Sequence, residues 1–131
     1  MKNSDFQHKL ASEIDTDLKY DIVTSHSVFH YFESLEYAYE VVKKMILKSN
    51  KIVGIFDIND KFKESLYHKI RMGKMEHKYY VNKYKDLDHQ FYEKNWFENI
   101  AKKYNLKINI YDQTFKNYSN SPLRFNVILF K

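Results

Sequence analysis

The chain has 131 residues, a net charge of +5 and 44% hydrophobic residues, which suits one domain with one buried core and excludes a disordered polymer. Cysteine is absent, which excludes disulfides, thiolate metal sites and cysteine nucleophiles. No stretch approaches the roughly 18–20 apolar residues of a membrane span, and residues 1–5 carry no apolar signal-peptide core, so a cytoplasmic protein with no membrane partner is the expectation.

Residues 1–19 form a lead-in without a clear element; within it, residues 6–14 read either as a frayed helix or as a short strand followed by a loop. Residues 20–24 are a short apolar run, expected as a buried strand. The chain then enters a polar segment carrying His26 and His30. Ser34 is a helix N-cap, and after it Leu35, Ala38, Val41, Val42, Met45 and Ile46 recur at helical spacing. Lys43, Lys44 and Lys48 lie near the end of that helix, where its dipole favours cations, and Ser49-Asn50 stops it. The continuous apolar run 52–56 predicts a strand covered on both faces. Strand, helix and strand together predict a βαβ unit with parallel strands.

A second helix is expected from Asp60, with Phe62, Leu66 and Ile70 as its apolar stripe. Residues 73–90 are polar, rich in lysine and tyrosine and weakly periodic, an excursion expected over the mouth of a site. A third helix carries Trp96, Phe97, Ile100, Ala101 and Tyr104 on one face. Leu106, Ile108 and Ile110 alternate with polar residues, as in a half-exposed strand, and residues 125–130 form the last strand. With no helix between them, these two strands predict an antiparallel pair at the sheet edge.

The basic charge comes almost wholly from lysine, Arg71 and Arg124 being the only arginines. Asn, Ile and Tyr are abundant as well, so a composition-wide bias accounts for the charge better than attraction of an anionic substrate or nucleic acid. The Tyr79-Tyr80 and Lys83-Tyr84-Lys85 cluster alternates base and aromatic as single-strand binders do; a solvated loop with partly packed tyrosines is the preferred reading. His26 and His30 are spaced i, i+4, but no third ligand stands near them, so no metal site is expected.

The order of elements and several short motifs together resemble the C-terminal half of a class I S-adenosylmethionine-dependent methyltransferase. Tyr20-Asp21-Ile22-Val23 resembles that family's strand 4, written FD-V-V. Ser25 and the residues after it resemble the loop and helix start S-x-x-V-L-E-H-L, with Val28 and Phe29 on the apolar pair and Tyr31 where the family often has histidine. His89-Gln90-Phe91-Tyr92 resembles the substrate-side H-x-Y segment, and residues 118–126 resemble the closing strand pair. Ala11-Ser12-Glu13-Ile14 resembles the adenine-contacting D-A-x-x-L turn, with Leu10 at its acidic position. The family's glycine-rich turn after strand 1 and the acidic residue after strand 2 have no counterpart here; Gly54 and Gly73 are the only glycines.

The resemblance implies an α/β fold: a partial Rossmann-like sheet of strands resembling 4, 5, 6 and 7, flanking helices and an antiparallel terminal pair, as a single domain over residues 1–131. It implies S-adenosylmethionine as cofactor once the first half of the fold is supplied, with Ala11, Ser12, Ser25 and His26 on the cofactor side. It implies a small or sugar-like hydroxyl or amine acceptor, with Asn59, His89 and Tyr92 on the substrate side. Methyl transfer depends on alignment, and a hydroxyl acceptor is helped by a base of near-neutral pKa, which histidine supplies. His26, His30 and Asp57 are the catalytic candidates. Each site residue also has a structural reading: local backbone bonding for His26, packing for His30, His89 and Tyr92, turning and capping for Asp57 and Asn59. The missing first half reads as a truncation or a split reading frame. A half-domain of this kind leaves strand 20–24 as an unpaired edge, and a homodimer or a companion chain joined there is the alternative expectation. A nucleic-acid-binding module is the third and least favoured.

Overall fold

The computed structural model describes residues 4–73 and 89–131. Four strands form one sheet: β1 (Tyr20–His26), β2 (Ser49–Asn59), β3 (Lys107–Asp112) and β4 (Arg124–Phe130). Their order is β1-β2-β4-β3. β1 and β2 are parallel, while β4 runs antiparallel to both β2 and β3. The expected parallel pair and reversed terminal pair are both present. β4, however, is an interior strand, inserted between β2 and β3, so of the terminal pair β3 alone lies at an edge, opposite the β1 edge.

α1 (Leu35–Lys48) begins where Ser34 accepts a hydrogen bond from the Tyr37 amide at 3.0 Å, and it buries Ala38, Val41, Val42, Met45 and Ile46. α3 (Lys94–Lys103) buries Phe97, Ile100 and Ala101. The two helices touch through a Tyr39–Tyr104 hydroxyl contact of 3.1 Å. They share one core with Val53 and Ile55 of β2 and Val127 and Leu129 of β4, so both cover the same sheet face.

Side chains alternate along a strand, so the opposite face carries Ile22, Ile52, Phe56, Ile128 and Phe130, aligned by the strand register. Ile22 is 58% exposed and the other four are half-buried. This corrects two expectations. Strand 20–24 is not buried: it is the outer strand, it runs on to His26, and Tyr20 is 49% exposed. Strand 52–56 has no second helix layer among the described residues, and Ile52 and Phe56 on that face are half-buried; it extends over Ser49–Asn59, with Ser49 beginning it rather than ending the helix. A continuous apolar run shows that a strand is central but not which of its faces meets a helix.

The second helix also differs from expectation. A 3₁₀ turn, Lys61–Lys63, precedes α2 (Glu64–Met72). Phe62 is 80% exposed, and Tyr67 is the buried residue, packed with Phe91 and Leu123. In the lead-in only a 3₁₀ turn forms, Ala11–Glu13. Lys44 and Lys48 bind its backbone at Ser12, Asp15 and Leu18, so two of the lysines expected to answer the helix dipole tether the lead-in to α1. Most of residues 73–90, and all of the 79–85 cluster, lie outside the described residues.

Candidate functional site

The rim at the C-terminal ends of β1 and β2 also receives the start of β4, because β4 runs the other way. Two residues there stand in the left-handed region, Ser27 at φ 56° and Asp57 at φ 64°. Such a conformation costs a non-glycine residue about 1–2 kcal/mol and persists only where its surroundings hold it. Asp57 sits in a break of the β2–β4 register between Ile55 and Ile58, the mark of a bulge. Its amide is held by Asn126 Oδ1 at 2.9 Å.

The bulge puts the Asp57 side chain, in a residue only 1% exposed, among donors. Its Oδ2 accepts from Ser27 Oγ at 2.5 Å and from the Tyr118 hydroxyl at 2.8 Å. Arg124, the first residue of β4 and 4% exposed, lies 3.4 Å from the same oxygen. Its Nη1 also reaches the Asp57 carbonyl and His30 Nδ1, both at 3.1 Å. His30, in the 3₁₀ turn Phe29–Tyr31, is 4% exposed. Burial pushes its pKa down to about 4, helped by Arg124 and His89 and opposed by Asp57.

Residues 89–92 cross this rim. Gln90 N–H donates to the His30 carbonyl at 2.9 Å, Asn59 Nδ2 donates to the Gln90 carbonyl at 3.2 Å, and Tyr92 N–H donates to the Asn59 carbonyl at 2.9 Å. The His89 ring lies 5.3 Å from that of His30 and meets the Tyr67 hydroxyl at 2.9 Å. Burial lowers the His89 pKa, with Arg71 and Arg124 acting the same way. Tyr92 is fully buried, and its hydroxyl donates to the Phe29 carbonyl at 2.8 Å. That burial raises its pKa, so it braces the rim from inside the core.

The structure therefore gathers His26, His30, Asp57, Asn59 and His89 at one rim. His26 is exposed at the end of β1, with Nδ1 3.0 Å from Ser27 Oγ. Ser25 is half-buried one residue before it. Ala11 and Ser12 stand apart, against α1: the Ser12 amide and Oγ both meet the Tyr37 hydroxyl, and its carbonyl meets Lys44. Sequence reasoning missed Ser27, Tyr118, Arg124 and Asn126. The one available signal was an arginine in a chain whose other cations are nearly all lysine, since arginine is the cation preferred for buried, multiply bonded pairs.

Three buried polar atoms of the rim have no hydrogen-bond partner among the described residues: Asp57 Oδ1, Asn59 Oδ1 and Arg124 Nε. Orphaned groups cost about 1–3 kcal/mol each, and here they cluster where an open α/β sheet takes its ligands. Among the described residues no group of three or more metal-ligating side chains converges, and no helix is long and apolar enough to cross a membrane.

A parallel pair followed by an inserted, reversed strand defines a partial Rossmann-like α/β fold. Solved structures identify it more closely: the chain has the fold of S-adenosylmethionine-dependent methyltransferases. Magnesium protoporphyrin IX methyltransferase from Synechocystis PCC 6803, determined with bound SAH, superposes with a TM-score of 0.61 at 12% identity, over 93% of this chain and 48% of that one. An O-methyltransferase family protein from Burkholderia thailandensis gives 0.61 at 13% identity, over 97% and 35%. The small RNA methyltransferase HEN1 gives 0.60 at 18% identity, over 94% and 15%. The chain thus spans less than half the length of each. No family model matches the sequence, and no curated protein is detectably similar to it.

Proposed function

We propose that this chain is the acceptor-side half of a methyltransferase domain that uses S-adenosylmethionine and acts on a small or sugar-like hydroxyl or amine. The observation that carries the reading is the buried Asp57–Arg124–His30 cluster at the rim of a methyltransferase-type sheet, with unpartnered polar atoms beside it. The residues present suit an acceptor and its proton. They do not cradle the methionine and ribose of the cofactor, because Gly54 lies inside β2 and Gly73 caps α2. When bound, the cofactor supplies a methyl group already activated by its sulfonium leaving group. The chain's own residues orient the acceptor and take up its proton. Ser25 and His26 stand on the cofactor side of the rim, Asn59 and His89 on the acceptor side, and Ala11 and Ser12 are cofactor contacts on the flank of α1.

Titration calorimetry with S-adenosylhomocysteine tests this. Saturable binding is expected when a polypeptide bearing a glycine-rich turn is supplied, either joined upstream or added separately. Absence of binding in every such form overturns the proposal.

The open edge of β1 and the half-open sheet face favour a second reading, in which the chain is a non-catalytic half-domain that pairs through residues 20–26 with a companion chain or a second copy. Unpaired strand edges are templates for such pairing. A monomer by light scattering, with fast amide exchange over 20–26 in the presence of the candidate partner, counts against it.

A further inference from the structure

Three histidines stand at the rim, and the Asp57–Arg124 ion pair reaches two of them, His30 directly and His26 through Ser27. Hydrogen-bond inventory settles which nitrogen of each carries the proton. Arginine has donors and no acceptor, and it stays protonated. Arg124 Nη1 lies 3.1 Å from His30 Nδ1, so that nitrogen must offer a lone pair, and the neutral ring carries its proton on Nε2. Nη1 has two acceptors at 3.1 Å, His30 Nδ1 and the Asp57 carbonyl, and a longer third, Asp57 Oδ2, at 3.4 Å. The competing arrangement has Nδ1–H donate toward the Asp57 carbonyl alongside, which sets one proton against the donor group of Arg124.

His26 is decided from the other end of the pair. Ser27 has one hydroxyl hydrogen. The 2.5 Å contact to the Asp57 carboxylate, which can only accept, uses it. Ser27 Oγ, 3.0 Å from His26 Nδ1, is left as the acceptor in that contact. His26 Nδ1 therefore carries the ring proton, and Nε2 keeps its lone pair.

We propose that the Asp57–Arg124 pair sorts the two histidines into opposite tautomers, making His26 Nε2 the rim's proton acceptor and His30 Nε2 a fixed hydrogen-bond donor. Divergent environments for neighbouring titratable groups are how one site assigns its acid and base roles. The charged and titratable groups facing His30 are Arg124 of β4, Asp57 of β2, and the rings of Tyr31 and His89, which also meet each other. His26 faces solvent and Ser27. An acceptor that suits the rim offers an O–H or N–H to His26 and a second oxygen or nitrogen lone pair to His30. That ligand class rests on the proposed transferase reading. The tautomers do not, and they are measured without cofactor.

Nitrogen-15 NMR of the histidine-labelled full chain at pH 8, above the ordinary histidine pKa of about 6.5, reads both rings directly. One ring protonated on Nδ1 and another on Nε2 are expected, assigned through His26→Gln and His30→Gln. Ser27→Ala should move His26 toward Nε2–H and leave His30 unchanged. Arg124→Met should release His30 from its single tautomer and leave His26 unchanged. The same tautomer on both rings in the unsubstituted chain overturns the proposal, whether or not either variant folds. Opposite tautomers, together with no binding of S-adenosylhomocysteine even when a polypeptide bearing a glycine-rich turn is supplied, would sink the transferase reading and leave the sorting in place.

Discussion

At the residue scale, the Asp57–Arg124 pair is the costliest feature of the rim. The two side chains are 1% and 3% exposed. Breaking a buried pair from one side leaves an uncompensated charge and typically costs about 3–5 kcal/mol, whereas removing both charges together is often close to neutral. Arg124→Met should therefore lower unfolding stability by about 3–5 kcal/mol. Asp57→Asn combined with Arg124→Met should restore most of it, as read from urea midpoints. Equal losses in the single and double variants would show that the bulge, not the charge pair, depends on these residues. His30 adds a pH dependence of definite sign. Its folded pKa of about 4 lies below the ordinary histidine value of 6.5, so between these values the unfolded chain binds a proton that the folded chain refuses. Stability should be fully present above pH 6.5 and decline as pH falls toward 4. His30→Gln, whose amide oxygen can still accept from Arg124, should flatten the slope of urea midpoint against pH over that window. Part of the slope belongs to His89, whose pKa burial also lowers. An unchanged slope in His30→Gln would remove His30 as the cause.

At the element scale, the start of α1 is a local device with a local cost. Ser34 accepts from the Tyr37 amide at 3.0 Å, and Ser34→Ala should cost about 1 kcal/mol by urea unfolding, with no change in the tautomers at the rim. That helix, α3 and β3 were legible in the sequence because each buries one face and so writes a period of 3.6 or 2 into its residues. β1 and β2 were legible as strands but not in their surroundings, since Ile22 and Phe56 look as apolar as Val53 and Ile55 and differ only in which side of the sheet they face. The bulge left no sequence signal: Asp57 at the end of an apolar run reads as the first residue of a loop. The site was half legible for a related reason. His26, His30 and Asp57 follow strands and could be picked out by position. Arg124 reaches His30 across 94 residues of sequence, and Tyr118 reaches Asp57 across 61. No spacing rule connects them. The antiparallel insertion of β4 brings Arg124 to the rim.

At the scale of the whole molecule, the sheet formed by the described residues is covered on one side and half-open on the other. α1 and α3 close over Val53, Ile55, Val127 and Leu129, while Ile22, Ile52, Phe56, Ile128 and Phe130 line a face on which neither of them packs. Among the described residues β1 pairs with β2 alone, so a free strand edge and the half-open face meet at Ile22. Edge pairing between two copies would satisfy the backbone and leave both apolar faces uncovered. A segment that brings a strand to β1 and an apolar helix to the face would satisfy both, and this geometry favours a dissimilar partner over a symmetric dimer. Ile22→Lys separates these requirements. Its side chain is 58% exposed, so the isolated chain should lose no more than about 0.5 kcal/mol. A lysine on an exposed edge opposes strand pairing, so the variant should associate less in light scattering at high concentration. It should also bind a strand-and-helix partner at least tenfold more weakly. A loss of several kcal/mol in the isolated variant would mean that Ile22 is already packed, and the case for a docking face would fail with it.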